Sequence, residues 1–145
     1  MKKQAYTMIA MMICFGCLAV SAKAQCESMN SIANIPFQFT VGKTTLPAGQ
    51  YALTCLNAES KLLTIRSTDR EASALMLMIS VQRNPSDGGK LMFHRYGTRY
   101  FFSQVWAGGE STALELPKSR AERLVELEVA GMKPKSETIA LTKRR

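Results

Sequence analysis

The chain has 145 residues, and its 19 basic and 11 acidic side chains give it a formal net charge of +8 at neutral pH. A chain of this length forms one domain with a real hydrophobic core and is too short for two. Its single histidine excludes the catalytic and metal-binding motifs that need two histidines at fixed spacing.

Residues 1–24 are predicted to be a cleaved signal peptide. A positively charged start precedes the mainly apolar run 6–20, and Ala22 and Ala24 are the small residues that signal peptidase needs at positions −3 and −1. Cleavage then falls before Gln25. A transmembrane anchor would need roughly 20 apolar residues, which this run does not reach. The protein is therefore expected in the periplasm or outside the cell, without a stable membrane anchor.

Removal of the signal leaves a mature chain of 121 residues with 16 basic and 11 acidic side chains, a net charge of about +5. This charge is moderate and lacks the concentrated positive character of nucleic-acid-binding proteins. No nucleic-acid partner is expected.

Two cysteines remain in the mature chain, Cys26 and Cys55. An even count in an exported protein predicts a disulfide, and the alternative is two free thiols. Closing a loop of about 28 residues would stabilise the fold by roughly 3 to 4 kcal/mol. One histidine and two separated cysteines do not supply the four ligands of a structural zinc site, so neither a metal nor another cofactor is expected.

Short segments in which apolar and polar side chains alternate predict a chain of β-strands. Residues 25–34 come first and are predicted as a polar N-terminal leader. Turn sequences such as Leu46-Pro47-Ala48-Gly49 separate the segments that follow. The predicted strands are 35–41, 51–55, 62–65, 72–82, 91–96, 99–106, 112–116 and 137–141.

The segment 72–82 is the most apolar part of the mature chain. We predict a central strand here, because the turn and hairpin that follow favour a strand over a buried helix. Met76 and Met78 are assigned to the core rather than to a copper site.

One helix is predicted, at about residues 119–130. Ser119 and Glu122 have the spacing of a capping box, and Gly131 ends the run. Glutamates on this helix are assigned to its solvated face. The apolar stripe expected to face the core consists of Leu124, Val125 and Leu127.

Together these elements predict a mostly β, single-domain fold over residues 35–142. The expected architecture is an antiparallel β-sandwich or a small barrel of 7–8 strands with one C-terminal helix. A basic tail, 143–145, follows the domain.

The stretch LMFHRYGTRYFFSQVW, residues 91–106, holds the chain's only histidine and only tryptophan. It is predicted to form a β-hairpin with a type II′ turn at Gly97-Thr98. The predicted pairs are Tyr96 with Arg99, Arg95 with Tyr100, His94 with Phe101 and Phe93 with Phe102. One face then carries Met92, His94, Tyr96, Arg99, Phe101, Ser103 and Val105, and the other carries Leu91, Phe93, Arg95, Tyr100, Phe102, Gln104 and Trp106.

No catalytic residue is predicted in this hairpin. His94 stands opposite Phe101 without a carboxylate at a neighbouring position on its face. Ser103 lies two pairs away, about 7 Å or more along the strands. The second face instead provides a candidate contact surface for an envelope protein or a polysaccharide, and the alternative is that its side chains only pack the hairpin. This surface consists of Arg95, Tyr100, Gln104 and Trp106.

Three motifs give the chain a resemblance to a family of small exported bacterial proteins for which no activity is established. The motifs are IPFQFTVGKTTLPAGQY at 35–51, LMFHRYGTRYFFSQVW at 91–106 and ELPKSRAERL at 115–124. Members of that family often have aspartate at the positions that Gln38 and Thr98 hold here. The resemblance implies export and a single domain, and it implies no cofactor or catalytic residue.

The expected function is that of a non-enzymatic envelope or extracellular module with a binding or structural role. An alternative is a β-barrel that binds a small ligand in an apolar cavity, and an uncharacterised hydrolase is a third candidate. The residues expected to line that cavity are Phe37, Phe39, Leu75, Leu77 and Phe93.

Overall fold

The structure, a computed structural model, describes residues 29–85 and 87–144. The predicted signal peptide and Cys26 lie outside these residues. Within them, twelve strands form two sheets, and one helix follows the tenth strand. The fold is therefore mostly β with a C-terminal helix, as predicted. The strand number exceeds the predicted 7–8 because the predicted strand 72–82 is divided in two and three short strands were not predicted: Asn30–Ile35, Thr44–Leu46 and Thr142–Lys143.

The first sheet has five antiparallel strands in the order β12-β1-β4-β5-β6. Its strands are β1 (Asn30–Ile35), β4 (Gly49–Asn57), β5 (Leu62–Ser67), β6 (Ser73–Leu77) and β12 (Thr142–Lys143).

The second sheet has seven strands, five of them in the order β11-β8-β9-β10-β7. The remaining two strands lie beside β9. β2 pairs in parallel with the first half of β9, and β3 pairs in antiparallel with β2. The strands are β2 (Phe39–Val41), β3 (Thr44–Leu46), β7 (Ile79–Gln82), β8 (Lys90–Tyr96), β9 (Arg99–Trp106), β10 (Thr112–Glu115) and β11 (Lys135–Ala140). The helix, α1, spans Arg120–Glu128, which agrees with the predicted 119–130.

One hydrophobic core lies between the two sheets, because alternate side chains of each strand point inward. Phe93 is fully buried and packs edge-on against Phe39 and Phe102, with ring centroids 5.4 and 5.5 Å apart. The strands of the described residues do not close into a barrel. Leu75 and Leu77, expected in a barrel cavity, are instead exposed, so the predicted cavity lining is wrong.

The start and end of the domain are more ordered than predicted. Asn30–Ile35, most of which was assigned to the polar leader, forms β1 between β12 and β4. Ala33 and Ile35 are buried in the core. Lys143, assigned to the tail, belongs to β12 and pairs with Ser31. β1 was not predicted because small polar residues interrupt its apolar pattern, and only half of its side chains face the core.

The apolar segment 72–82 forms two edge strands rather than one central strand. β6 pairs only with β5 in the first sheet, and β7 pairs only with β10 in the second. Met78 lies between them and is buried, as is Met76. The chain therefore crosses from one sheet to the other here, which accounts for both the continuous apolar run and the exposure of Leu75 and Leu77.

Candidate functional site

The hairpin of β8 and β9 has the predicted turn and the predicted register near that turn. Gly97 has a positive φ of 62°, which glycine adopts without steric cost at the first central position of a type II′ turn. The four predicted pairs, from Tyr96–Arg99 to Phe93–Phe102, are all present.

A β-bulge at Ser103 then changes the register. Phe93 pairs with Phe102, but Met92 pairs with Gln104, so Ser103 is an extra residue on β9. Every later side chain of β9 is moved to the opposite face. Val105 enters the core between the sheets, whereas Gln104 and Trp106 join His94 on the outer face. The predicted assignment of these three residues to faces is wrong.

The bulge brings Ser103 to His94. The Ser103 Oγ lies 3.1 Å from the His94 Nε2, so the predicted separation of 7 Å or more is wrong. The other ring nitrogen, Nδ1, lies 2.6 Å from Oε1 of Glu122 on α1. An ionised carboxylate only accepts hydrogen bonds, so Nδ1 carries a proton and donates it. In the neutral ring, Nε2 then accepts from the serine hydroxyl.

Glu122 receives a second hydrogen bond from the same strand. The Tyr96 hydroxyl donates to the Glu122 Oε1 at 3.2 Å. Burial, and then the negative charge of Glu122, raise the pKa of Tyr96 far above its ordinary value of 10.0. Ser103, His94, Glu122 and Tyr96 thus form one continuous hydrogen-bonded group, here called the docking network.

The helix is positioned for this contact by its own N-terminus. The Ser119 side chain caps α1 and accepts from the backbone N–H of Glu122 at 3.1 Å. Beside the docking network, Val125 packs with Tyr96 and Phe101 in a small second hydrophobic cluster. One apolar residue and one carboxylate therefore hold the buried side of the helix against the outer face of the second sheet.

The docking network has the connectivity of a serine hydrolase triad, in which a carboxylate orients a histidine that contacts a serine. Its serine, however, is 3% exposed and its glutamate is also 3% exposed. A substrate carbonyl must come within about 3 Å of the nucleophile. In this conformation Ser103 is covered, so the arrangement can hold the helix, and a substrate would reach the hydroxyl only after the covering groups move.

Sequence reasoning recognised Glu122 as a capping-box residue but assigned it to the solvated side of the helix. Two stripes exist on α1, one through Glu122, Val125 and Val129 and the other through Leu124 and Leu127. Hydrophobicity favours burial of the leucines, and the structure buries the stripe with the glutamate instead. The signal that identifies the correct side is the pair of polar partners on β8, His94 and Tyr96.

The four residues of the predicted contact surface do not form one exposed face. Trp106 and Gln104 lie on the outer face and are buried. The Trp106 Nε1–H donates to the Gln104 Oε1 at 3.3 Å, and the Gln104 Nε2 donates to Glu115 on β10 at 2.6 Å. Lys90 covers the indole ring, 5.0 Å from its centroid. These side chains therefore serve packing within the sheet.

The other two residues of that surface lie on the opposite face, near the turn. Tyr100 is half-buried and stacks on Phe37, with ring centroids 3.8 Å apart. Arg95 is exposed, lies 5.5 Å from the centre of the Tyr100 ring and donates to the Gly97 carbonyl. The predicted contact surface is therefore wrong, and the predicted arginine–tyrosine contact at the hairpin tip is confirmed.

The exposed side of α1 has the character that a contact surface requires. Leu124 and Leu127 are 52% and 76% exposed, although both were expected in the core. Positions 120, 123, 124 and 127 follow the spacing of one helix face, which lies opposite the buried stripe. We name this surface the outer helix face; its residues are Arg120, Arg123, Leu124 and Leu127.

Within residues 29–85 and 87–144, no group of three or more histidine, cysteine, aspartate or glutamate side chains is placed to hold a metal ion. The helix of the described region is not long and apolar enough to cross a membrane. Comparisons of the chain with protein-family models, with curated proteins and with solved structures find no match.

Proposed function

We propose that the protein is an exported, non-enzymatic binding module of the bacterial envelope or extracellular space, with the outer helix face as its contact surface. The observation that carries this proposal is which side of α1 is buried. The helix buries Glu122 and exposes Leu124 and Leu127. Large apolar side chains grouped on a rigid surface are typical of interaction sites.

The docking network supports this role because it fixes the helix without using its leucines. His94 and Tyr96 both bond to the buried carboxylate, and buried hydrogen bonds to a charged group are directional and strong. The outer helix face is therefore available before any partner binds. A preformed surface loses less conformational entropy on binding than a mobile one.

A photo-crosslinking experiment tests the contact surface in the exported protein. A benzoylphenylalanine is introduced at position 127, and as a matched control at position 75, where Leu75 is comparably exposed on β6. We expect ultraviolet light to produce a discrete adduct, with protein or lipid, from position 127 and none from position 75. Equal adducts from both positions, or none from either, would contradict the proposal.

The non-enzymatic part of the proposal has its own test. Because the Ser103 hydroxyl is covered, we expect a fluorophosphonate probe to leave the folded protein unlabelled, as measured by intact mass. Ser103→Ala is the control for any background reaction. Stoichiometric labelling that disappears in Ser103→Ala would instead establish a nucleophilic serine, and the hydrolase would replace the binding module as the best reading of the docking network.

Export and the Cys26–Cys55 disulfide belong to the same proposal. The backbone N–H of Cys55 donates to the carbonyl of Met29 at 3.2 Å, so the chain three residues after Cys26 lies beside Cys55. Three extended residues span at most about 10 Å, whereas the Cα atoms of a disulfide are roughly 4.4 to 6.8 Å apart. Cys26 is therefore within reach of Cys55.

A further inference from the structure

We propose that the outer helix face binds an anionic lipid surface. This inference rests on the proposed function, because it names the partner of the same contact surface. Two properties of the surface support it: its exposed apolar side chains and the unpaired positive charge around them. A helix that exposes leucines next to basic residues combines the two forces that hold proteins at an anionic bilayer, apolar burial and electrostatic attraction.

The apolar part extends past the end of the helix. Met132, in the turn that follows α1, is a third exposed apolar side chain; it is 66% exposed and lines a groove with Val129 and Tyr96. The side chains of Leu124, Leu127 and Met132 are long and unbranched at Cβ, so they can reach into the boundary between headgroups and acyl chains. They lie within nine positions of the sequence, and they make up three of the seven large hydrophobic side chains exposed on the described part of the protein.

Exposed cations accompany the apolar side chains along α1 and the segment that follows it. Four of them make no ion pair with an acid within the described residues. Nearby acids are engaged elsewhere, since Glu126 pairs with Lys118 at 2.8 Å and Glu128 with Arg99 at 3.0 Å. The four cations are Arg120, Arg123, Lys133 and Lys135.

Lipid is favoured over a protein partner by this combination. A protein interface centre is typically rich in aromatic side chains, whereas the outer helix face has none. One side of α1 lies against the sheet, so the opposite side is exposed along the length of the helix. A helix held in this way can lie in the plane of a membrane surface.

Vesicle flotation with the purified exported protein tests the inference. The probes are vesicles of phosphatidylcholine alone and of phosphatidylcholine with 30% phosphatidylglycerol. We expect binding to the anionic vesicles, weakened by salt, and little to the neutral ones. Each basic residue near an anionic surface contributes about fivefold in affinity, so Arg120→Gln/Arg123→Gln should lose roughly 25-fold. Leu124→Ser/Leu127→Ser should lose at least about tenfold.

Two matched variants control for general charge and hydrophobicity. Arg66→Gln/Arg70→Gln removes two exposed cations from the other sheet, and Leu75→Ser/Leu77→Ser removes two exposed leucines from β6. We expect both to bind like the wild type, and thermal unfolding verifies that all four variants fold. Equal losses in the control variants, or equal binding to neutral and anionic vesicles, would overturn the inference.

The lipid inference and the proposed function can fail separately. If the wild type does not float with anionic vesicles while position 127 still gives a discrete adduct with one protein, the lipid inference is wrong and the contact surface stands. If neither experiment gives a signal, both are wrong.

Discussion

Glu122 is a buried carboxylate whose partners come from a different element of the fold. Replacing it with alanine leaves the His94 Nδ1–H and the Tyr96 hydroxyl without an acceptor in a covered position. Removing one partner of a buried charged hydrogen-bond group costs about 2 to 4 kcal/mol. We therefore expect Glu122→Ala to lower the free energy of unfolding in urea by this amount.

The matched control is Glu126→Ala, on the same helix, whose partly exposed ion pair with Lys118 is worth less than about 1 kcal/mol. Glu122→Gln should fall between the two, because its amide oxygen still accepts a hydrogen bond. Equal effects of Glu122→Ala and Glu126→Ala would mean that the docking network does not stabilise the fold.

Tyr96 makes stability depend on pH in the alkaline range. Its pKa is raised, first by burial and then by the charge of Glu122, so its phenol ionises less readily in the folded than in the unfolded protein. Its contribution is complete below pH 10, the unfolded pKa, and is lost as pH rises from there toward the folded pKa. We expect the free energy of unfolding to fall by up to about 1.4 kcal/mol per pH unit in that window from this group.

Tyr96→Phe should remove this slope and, at pH 7, lower the free energy of unfolding by about 1 to 3 kcal/mol, because a hydrogen bond to a buried carboxylate is lost. Urea titrations at pH 7, 9, 10 and 11 measure both effects. Burial also raises the pKa of Tyr51, so part of the alkaline slope should remain. An unchanged slope in Tyr96→Phe would assign the alkaline effect to other groups.

Among the elements, the hairpin and the helix show what sequence pattern determines. The turn at Gly97 and the first four pairs of β8 and β9 could be predicted because they depend on local backbone geometry and alternation. The bulge at Ser103 could not, because it is stabilised from outside the hairpin, where the backbone N–H of Leu116 donates to the Ser103 carbonyl at 2.8 Å. That single extra residue assembles the docking network and buries Trp106. The side of α1 that is buried was unpredictable for the same reason.

β6 is an edge strand with an exposed apolar row, an arrangement that favours edge-to-edge association at high protein concentration. Lysine on such an edge opposes pairing with another chain. We expect Leu75→Lys to slow aggregation of the concentrated protein, measured by light scattering, and to change the free energy of unfolding by less than about 0.5 kcal/mol. Thr40→Lys, on the other sheet, is the control substitution and should leave the aggregation rate unchanged. An unchanged aggregation rate in Leu75→Lys would show that the edge of β6 does not drive association.

For the whole molecule, the proposed covalent link between the N-terminus and the first sheet would set much of the stability of an exported form. β1 lies between β12 and β4, and a bridge from Cys26 to Cys55 would tie its start to β4. By closing a loop of about 28 residues, the bridge should contribute roughly 3 kcal/mol, which for a domain of this size corresponds to about 10 °C in Tm. The predicted mature protein starts at Gln25 and should be two hydrogens lighter than its reduced form in intact mass spectrometry.

A double-mutant comparison separates the bridge from simple loss of a side chain. Cys26→Ser should lower the Tm by the contribution of the bridge, and Cys55→Ser and the double variant should lie at or below that value, since Cys55 also packs against the core. The reduced wild type should share the Tm of Cys26→Ser, because reduction breaks the same link. Two alkylatable thiols in the non-reduced exported protein, or a Cys26→Ser variant as stable as the wild type, would show that the two cysteines are not joined.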